Sequence, residues 1–360
     1  MWSGPKDALD FTQHCREQAD WCDQLGSPFT ASLCRAFADD FEAGGIIARL
    51  AGTVAPPHRK RATALRLAGA LHHAVIAEKC ERLAALYPSA GGEGDIAAIW
   101  AAASAYLKRD FDAVATFIQS DPQTNETRRS IALLPGFQAI ADRFGHPLHL
   151  LELGASAGLN QCWDKFSYDG GHWKRSLGLD RGVIVATDWR GNAPEFAGDI
   201  QVASRAGCDL NPIDLRNLSA RQRLKSYTWA DQPERLTRLD AAMAVAVREG
   251  VSIDQADAAD WLEKKLAARP SRGTSVVFHS VFLHYPPRQV RDRLIQLIEE
   301  AGAAATDQAP LAWLCMEPDS VFTDVNPKLG RFQVRLQTWP EGGHQILGYT
   351  DGHVTYFEPL

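Results

Sequence analysis

The sequence predicts an α/β protein in which an all-α domain precedes a mostly parallel sheet with a C-terminal antiparallel hairpin. Three observations carry that expectation. From Phe11 to about Phe144, apolar residues recur three and four apart in stretches such as ASLCRAFADDF and ALRLAGALHHAVIAEKCERLAALY, which is the period of helices. After Pro147, the short apolar runs LHLLEL (148–153), VIVAT (183–187), SVVFHS (275–280) and LAWLCME (311–317) alternate with helical segments, as strands and crossovers do. Near the C-terminus, FQVRLQTW and HVTYFEP alternate in steps of two, with an Asp351-Gly352 turn before the second, which reads as a hairpin.

Taken in order, the N-terminal helices are separated at Gly26-Ser27-Pro28, Ala55-Pro56-Pro57, Pro88 to Gly92, and Ser120-Asp121-Pro122, where Gly and Pro punctuate the pattern. About five or six helices result, and no strand is expected among them. The boundary is expected between 120 and 147, with a helical domain over 1–120 and the core over 121–360. Within the core, WADQPERLTRLDAAMAVAV, ADWLEKKLAAR and RQVRDRLIQLIEEAGAA supply the helices that parallel strands need as crossovers. Residues 168–200 read as an insertion.

Composition narrows the function classes. With 360 residues, 45% hydrophobic and 23% charged, the chain is an ordinary globular one with room for roughly two domains. A net charge of −6 lacks the basic footprint that a nucleic-acid backbone requires, and the one basic knot, His58 to Arg61, is short. The seven cysteines are scattered with no C-x-x-C pair, so reduced thiols and no metal are expected. Neither a leader-like start nor an apolar run of about 18 residues is present, so no membrane association and a cytoplasmic location are expected. The sequence carries no signal for oligomeric state.

LELGASAGLN, residues 151–160, fits two chemistries. As G-x-S-x-G it presents Ser156 as the nucleophile of a hydrolase, with Asp257 or Glu317 and His344 or His353 available as partners. Against this stand about 145 largely helical residues before the first strand and the lack of an HGGG-like loop. As an apolar strand ending in Glu152-Leu153-Gly154, followed by a tight turn and a helix, it makes a backbone cradle for a polar ligand. Neither G-x-G-x-x-G nor the phosphate-loop motif occurs, which disfavours nicotinamide and ATP.

Glu152 two residues before Gly154, with Gly158 beyond, resembles the first motif of class I S-adenosylmethionine-dependent methyltransferases. Ser156 stands where that family often has a glycine. The resemblance implies a Rossmann-like core, S-adenosylmethionine as cofactor, and contacts from Glu152, Gly154, Ala155, Ser156 and Gly158. It also implies that Asp209, in RAGCDLNPIDL, accepts the ribose hydroxyls, with Asp188 a competitor, and that Asp257-Ala258 meets the adenine. Helix capping by Asp257 is the other reading of that pair. In combination, QTNE (123–126), LELGASAGLN, WDKFSYDGG (163–171), RAGCDLNPID, WADQPERL and VFHSVFLHYPP resemble one uncharacterised family of bacterial proteins, a likeness that brings no activity or substrate.

Ligands of such sheets bind beyond the carboxyl ends of the strands. VVFHSVFLHYPP therefore offers His279 or Tyr285 as a proton acceptor, with His284 beside a substrate, and a packing role in the core is the other reading of each histidine. Asn125, Glu126 and Arg129 are expected to line a cleft between the helical part and the core. Asn160, Trp163 and Asp164 complete the substrate candidates, the aromatic ring either a lid over cofactor or cation or a plug that packs the insertion onto the sheet. The expected function is methyl transfer to a small molecule, with a serine hydrolase or a non-catalytic binding protein as alternatives.

Overall fold

A computed structural model describes residues 5–178, 182–322 and 330–360. In chain order it begins with helices α1 (Pro5–Gln24), α2 (Pro28–Glu42), α3 (Ile46–Ala51), α4 (Thr63–Ile76), α5 (Glu81–Ala84), α6 (Ile96–Arg109), α7 (Phe111–Phe117) and α8 (Arg129–Phe144). Strand β1 (Leu148–Leu153), a 3₁₀ segment (Leu159–Lys165) and strands β2 (Ser167–Asp169), β3 (Lys174–Ser176), β4 (Ile184–Ala186), β5 (Asp188–Trp189) and β6 (Val202–Asp209) follow. Next come α9 (Leu218–Ser226), α10 (Pro233–Arg248), β7 (Asp254–Gln255), α11 (Ala258–Ala267), β8 (Thr274–Ser280), α12 (Arg288–Ala303) and β9 (Leu311–Pro318). The chain closes with α13 (Asp319–Phe322), β10 (Phe332–Trp339), β11 (His344–Thr350) and β12 (Tyr356–Pro359).

Two compact units result, Met1–Thr124 with Asn217–Thr237, and Asn125–Arg216 with Arg238–Leu360. Residues 217–237, inside the core expected over 121–360, group with the helical unit. The grouping of 217–237 with the helical unit has a local cause at the start of α2. Ser27 makes no side-chain cap there, and the Phe29 N–H donates instead to Asp231 Oδ2 at 3.0 Å, while the Ser27 hydroxyl donates to Oδ1. A carboxylate from 231 thus satisfies a free amide of the first turn. Behind it, Tyr227 lies so close to Gly69 that a Cβ there would stand 2.7 Å from its ring. Phe11, Phe37, Leu67, Tyr87 and Leu107 are buried in a single apolar cluster that also takes in Ala230.

The second unit is an α/β assembly on a large, mostly parallel sheet of order β5-β12-β11-β10-β9-β8-β1-β6-β7. β1 lies inside the sheet, with Glu152 in register with Gly207 of β6 on one side and Phe278 of β8 on the other. α8 packs on one face, where Phe137 stacks on Trp163 at 4.0 Å and meets the edge of Phe278. On the other face Leu151, Leu153, Val277 and Trp313 share a core with Leu262 of α11 and Leu294 and Ile298 of α12. No helix among the described residues is long and apolar enough to cross a membrane.

Two strand expectations are corrected. VIVAT forms β4 of a separate three-stranded sheet, β3-β2-β4, and so extends the insertion rather than the main sheet. The insertion expected over 168–200 includes 179–181, which lie outside the described residues. The C-terminal hairpin is a three-stranded meander, because β11 pairs with β10 and β12 pairs with β11. HQILGYT escaped the period-two reading because His344 and Gln345 are exposed and Ile346 and Leu347 are both half-buried, so no alternation marks it.

Candidate functional site

The carboxyl end of β1 opens into a loop of three left-handed residues, Gly154 (φ +65), Ser156 (φ +54) and Gly158 (φ +72). A Cβ on Gly154 would strike the Phe282 ring, and one on Gly158 would stand 2.5 Å from Val251 Cγ1. The glycines are therefore required by this fold's own packing, whatever else approaches them. Ala155 N–H donates to Cys208 O at 3.0 Å, and Gly158 N–H to Ala155 O at 2.7 Å. The helix expected after the loop is a 3₁₀ segment with a non-helical residue at Cys162, and the first of its amides is not free. Leu159 N–H donates to Asn125 Oδ1 at 2.9 Å.

Glu152, next to last in this strand, lies inside the sheet, only 3% exposed. Burial raises its carboxyl to about 8, opposed by the Gln161 side chain and reinforced by the charge of Asp209. Neither its Oε2, nor Ser156 Oγ, nor Asn160 Oδ1 has a hydrogen-bond partner, although all three are buried. Asp209 stands at the end of β6 beside β1, its Oδ2 accepting from Ser156 N at 2.9 Å and its Oδ1 from Asn211 N at 2.8 Å. Asp188 lies on β5, at the opposite edge of the sheet from β7, and pairs with Arg190. Asp257 caps α11 by accepting from Ala259 N and Asp260 N, with Ala258 as the first helical residue. That is the capping reading of the pair.

The QTNE segment clamps the loop from behind. Besides the Asn125 bond, Asn160 Nδ2 reaches Glu126 O at 3.4 Å, and Glu126 Oε1 accepts from Arg128 N and from Arg238 Nη2 at 3.2 Å in a buried ion pair. Arg129 begins α8 and donates to the carbonyls of Ser280 (3.2 Å) and Gly352 (3.3 Å). Those carbonyls answer the unfavourable placement of a cation in the first turn of a helix. Trp163 is fully buried against Phe137, which makes it core and not a lid. Asp164 is tied to Arg205 at 2.7 Å and Lys165 at 3.2 Å.

Beyond β8 the geometry reassigns the histidines. His279 is fully buried, and its Nε2 accepts from Trp313 Nε1 at 2.9 Å while its Nδ1 meets Glu317 Oε1 at 2.7 Å. Indole N–H can only donate, so Nε2 is bare and Nδ1 carries the proton. With both nitrogens committed and no access to solvent, His279 is not placed to take a proton from a substrate, contrary to the expectation from its position after the strand. Tyr285 is 73% exposed, its ring 3.9 Å from that of His284.

The sequence offers Glu317 only as one of two acids for a hydrolase triad, not as a partner of His279 or His284. The signal that could have singled it out is its place as the one charged residue in the apolar strand LAWLCMEP. Its Oε1 also accepts from Phe282 N (2.7 Å) and Leu283 N (3.1 Å). Burial would raise this carboxyl, yet the bond from His279, the neighbouring His284 and the Phe282 amide together hold it down at about 2. The chain bends around it at Val281, whose φ of +56 is strained for a β-branched residue. Among the described residues no group of three or more His, Cys, Asp or Glu is arranged to hold a metal ion.

Over residues 12–358 the sequence matches a bacterial family described as "Uncharacterized protein conserved in bacteria (DUF2332)". The chain belongs to that family. No curated protein and no solved structure matches it. The matched span takes in the glycine loop, Asp209, the Glu317 cluster and the QTNE clamp alike.

Proposed function

We propose that the chain is an S-adenosylmethionine-dependent methyltransferase acting on a small molecule, with the amino-acid end of the cofactor held at the β1 loop. The observation that carries this reading is the set of unpartnered buried oxygens within residues 152–160: Glu152 Oε2, Ser156 Oγ and Asn160 Oδ1. Buried polar atoms call for partners, and an ammonium group supplies three donors to acceptors of this kind. The strand order supports the same reading. In chain order, the parallel strands β1, β6, β7, β8 and β9 stand third, second, first, fourth, fifth across the sheet, so the order reverses between β1 and β8. Open α/β sheets bind ligands beyond the carboxyl ends at such a reversal.

Glu152 and Asn160 would orient the ammonium group. Asp209 would meet the ribose, since each of its oxygens spends one acceptor position on the main chain and keeps another. Phe282 over Gly154 would exclude water from the turn. When bound, the cofactor supplies an electrophilic methyl group, and the chain's part is alignment, desolvation and proton removal. The net charge of −6 supports a small molecule over a nucleic acid as substrate.

Calorimetric titration with S-adenosylmethionine and S-adenosylhomocysteine tests the reading. Wild type binds both, and Glu152→Gln and Asp209→Asn each weaken binding by roughly ten-fold or more, the scale of one lost charge-assisted bond. No binding by wild type would remove the proposal. One observation favours the hydrolase alternative: Ser156 has the left-handed backbone of a nucleophile elbow. It has no base, because no described imidazole hydrogen-bonds its Oγ. Fluorophosphonate labelling that Ser156→Ala abolishes would put that reading first.

A further inference from the structure

Glu317 is buried to 0% exposure, yet its two oxygens are treated differently. Oε1 accepts from three donors, His279 Nδ1, Phe282 N and Leu283 N, which fixes the plane and position of the carboxylate. Oε2 has no hydrogen bond and faces His284, whose Nδ1 stands 3.6 Å away. His284 reaches solvent, with about a third of its side chain exposed and the Tyr285 ring tilted against it, 3.9 Å away. Trp313 occupies Nε2 of His279, the ring nitrogen that does not meet Glu317. The Phe282 whose amide binds Glu317 is also the residue whose ring covers Gly154, so the cluster adjoins the β1 loop at the carboxyl ends of β8 and β9.

We infer that His284 is the proton acceptor of this site and that Glu317 is its positioning residue, resting the assignment of the reaction on the methyl-transfer reading above. A carboxylate at Nδ1 selects the tautomer with the proton on that nitrogen and leaves the Nε2 lone pair facing outward. Gaps such as 3.6 Å commonly tighten when ligand binds. In the reaction, the hydroxyl or amine of the substrate gives its proton to Nε2 of His284, and its lone pair forms the bond to the methyl carbon of a sulfonium donor. The electron pair of the broken carbon–sulfur bond stays on sulfur, leaving a neutral thioether and an imidazolium paired with Glu317.

The test reads the tautomer directly and needs no substrate. In the full chain labelled with [15N]histidine, the His284 resonances are identified by their loss in His284→Gln, and long-range proton–nitrogen spectra are recorded where the ring is neutral. The expected result is a protonated Nδ1 and a bare Nε2. Glu317→Gln sharpens the test. The three donors at Oε1 require the amide oxygen there, which turns the amide NH₂ toward His284 and forces its proton onto Nε2. The two nitrogen signals therefore exchange ranges in that variant, whereas a merely structural Glu317 would not move them. A wild-type His284 with its proton on Nε2 overturns the inference, with no need of a folded variant. Titration with S-adenosylmethionine on the same sample separates the two readings. Binding with the wrong tautomer sinks the dyad alone, and the right tautomer without binding supports the dyad and sinks methyl transfer.

Discussion

Glu152 and Glu317 lie on strands β1 and β9 of the same sheet, and both are closed from water, yet they settle in opposite protonation states. Glu152 has burial against it and only the Gln161 side chain in its favour, so it stays protonated up to about 8. Glu317 has burial against it too, but the donors around it outweigh the loss of water and keep it ionised down to about 2. The linkage signs differ accordingly. A carboxyl raised in the folded state binds a proton that the unfolded chain has released, so Glu152 erodes stability as pH climbs from about 4.5 to about 8. Denaturant titrations across that window should show the decline flattened in Glu152→Gln, a difference on the order of a few kcal/mol. Glu317 acts the other way, its contribution being lost as pH falls from about 4.5 through about 2. If a cation binds at Glu152, its proton must leave. Calorimetry at pH 7 in two buffers of different ionisation enthalpy should then report release of up to about one proton per S-adenosylmethionine bound, falling as pH rises through about 8.

At the scale of elements, the β1 loop was legible because its chemistry is local. Two glycines after an apolar strand announce left-handed backbone, and the structure has it at Gly154, Ser156 and Gly158. Gly154→Ala places a Cβ in that conformation and against Phe282, so a loss of stability on the order of 1–3 kcal/mol is expected in thermal or denaturant unfolding. The element after the loop was less legible. Residues 159–165 form a 3₁₀ segment whose first amide is taken by Asn125, 34 residues upstream, a contact no local pattern encodes. Two roles are open to Asp257 from sequence, and its cap bonds to Ala259 and Asp260 show one of them. Asp257→Ala should cost about 1 kcal/mol through loss of the cap. Its effect on S-adenosylmethionine affinity, measured on the same variant, reports the other.

Across the whole molecule, all seven cysteines are free and buried. Burial raises the thiols of Cys15, Cys162, Cys208 and Cys315, which makes them poor nucleophiles. Ellman's reagent should find almost no reactive thiol in the native chain and all seven in denaturant. A fast-reacting thiol in the native protein would show that one of these helices or strands opens readily. The two units and their interleaving, with 217–237 joining the helical one, were only partly foreseeable. Apolar periodicity separated helical from α/β sequence near residue 147, but the grouping of α9 depends on Asp231 and Tyr227 meeting residues about 200 and 158 positions earlier.

The sequence by itself determined the alternation of helices and strands, the glycine turn after β1 and the family to which the chain belongs, because periodicity and turn chemistry act between residues a few positions apart. Only the tertiary structure decided which polar groups meet. It put Asp209 beside β1 and Asp188 at the far edge of the sheet, and it shut His279 between Trp313 and Glu317 while turning His284 toward solvent. Those outcomes follow from the register of strands far apart in the chain. His279 faces Glu317 only because β8 and β9 align across 38 residues, and a buried polar atom takes whichever partner that alignment brings within reach.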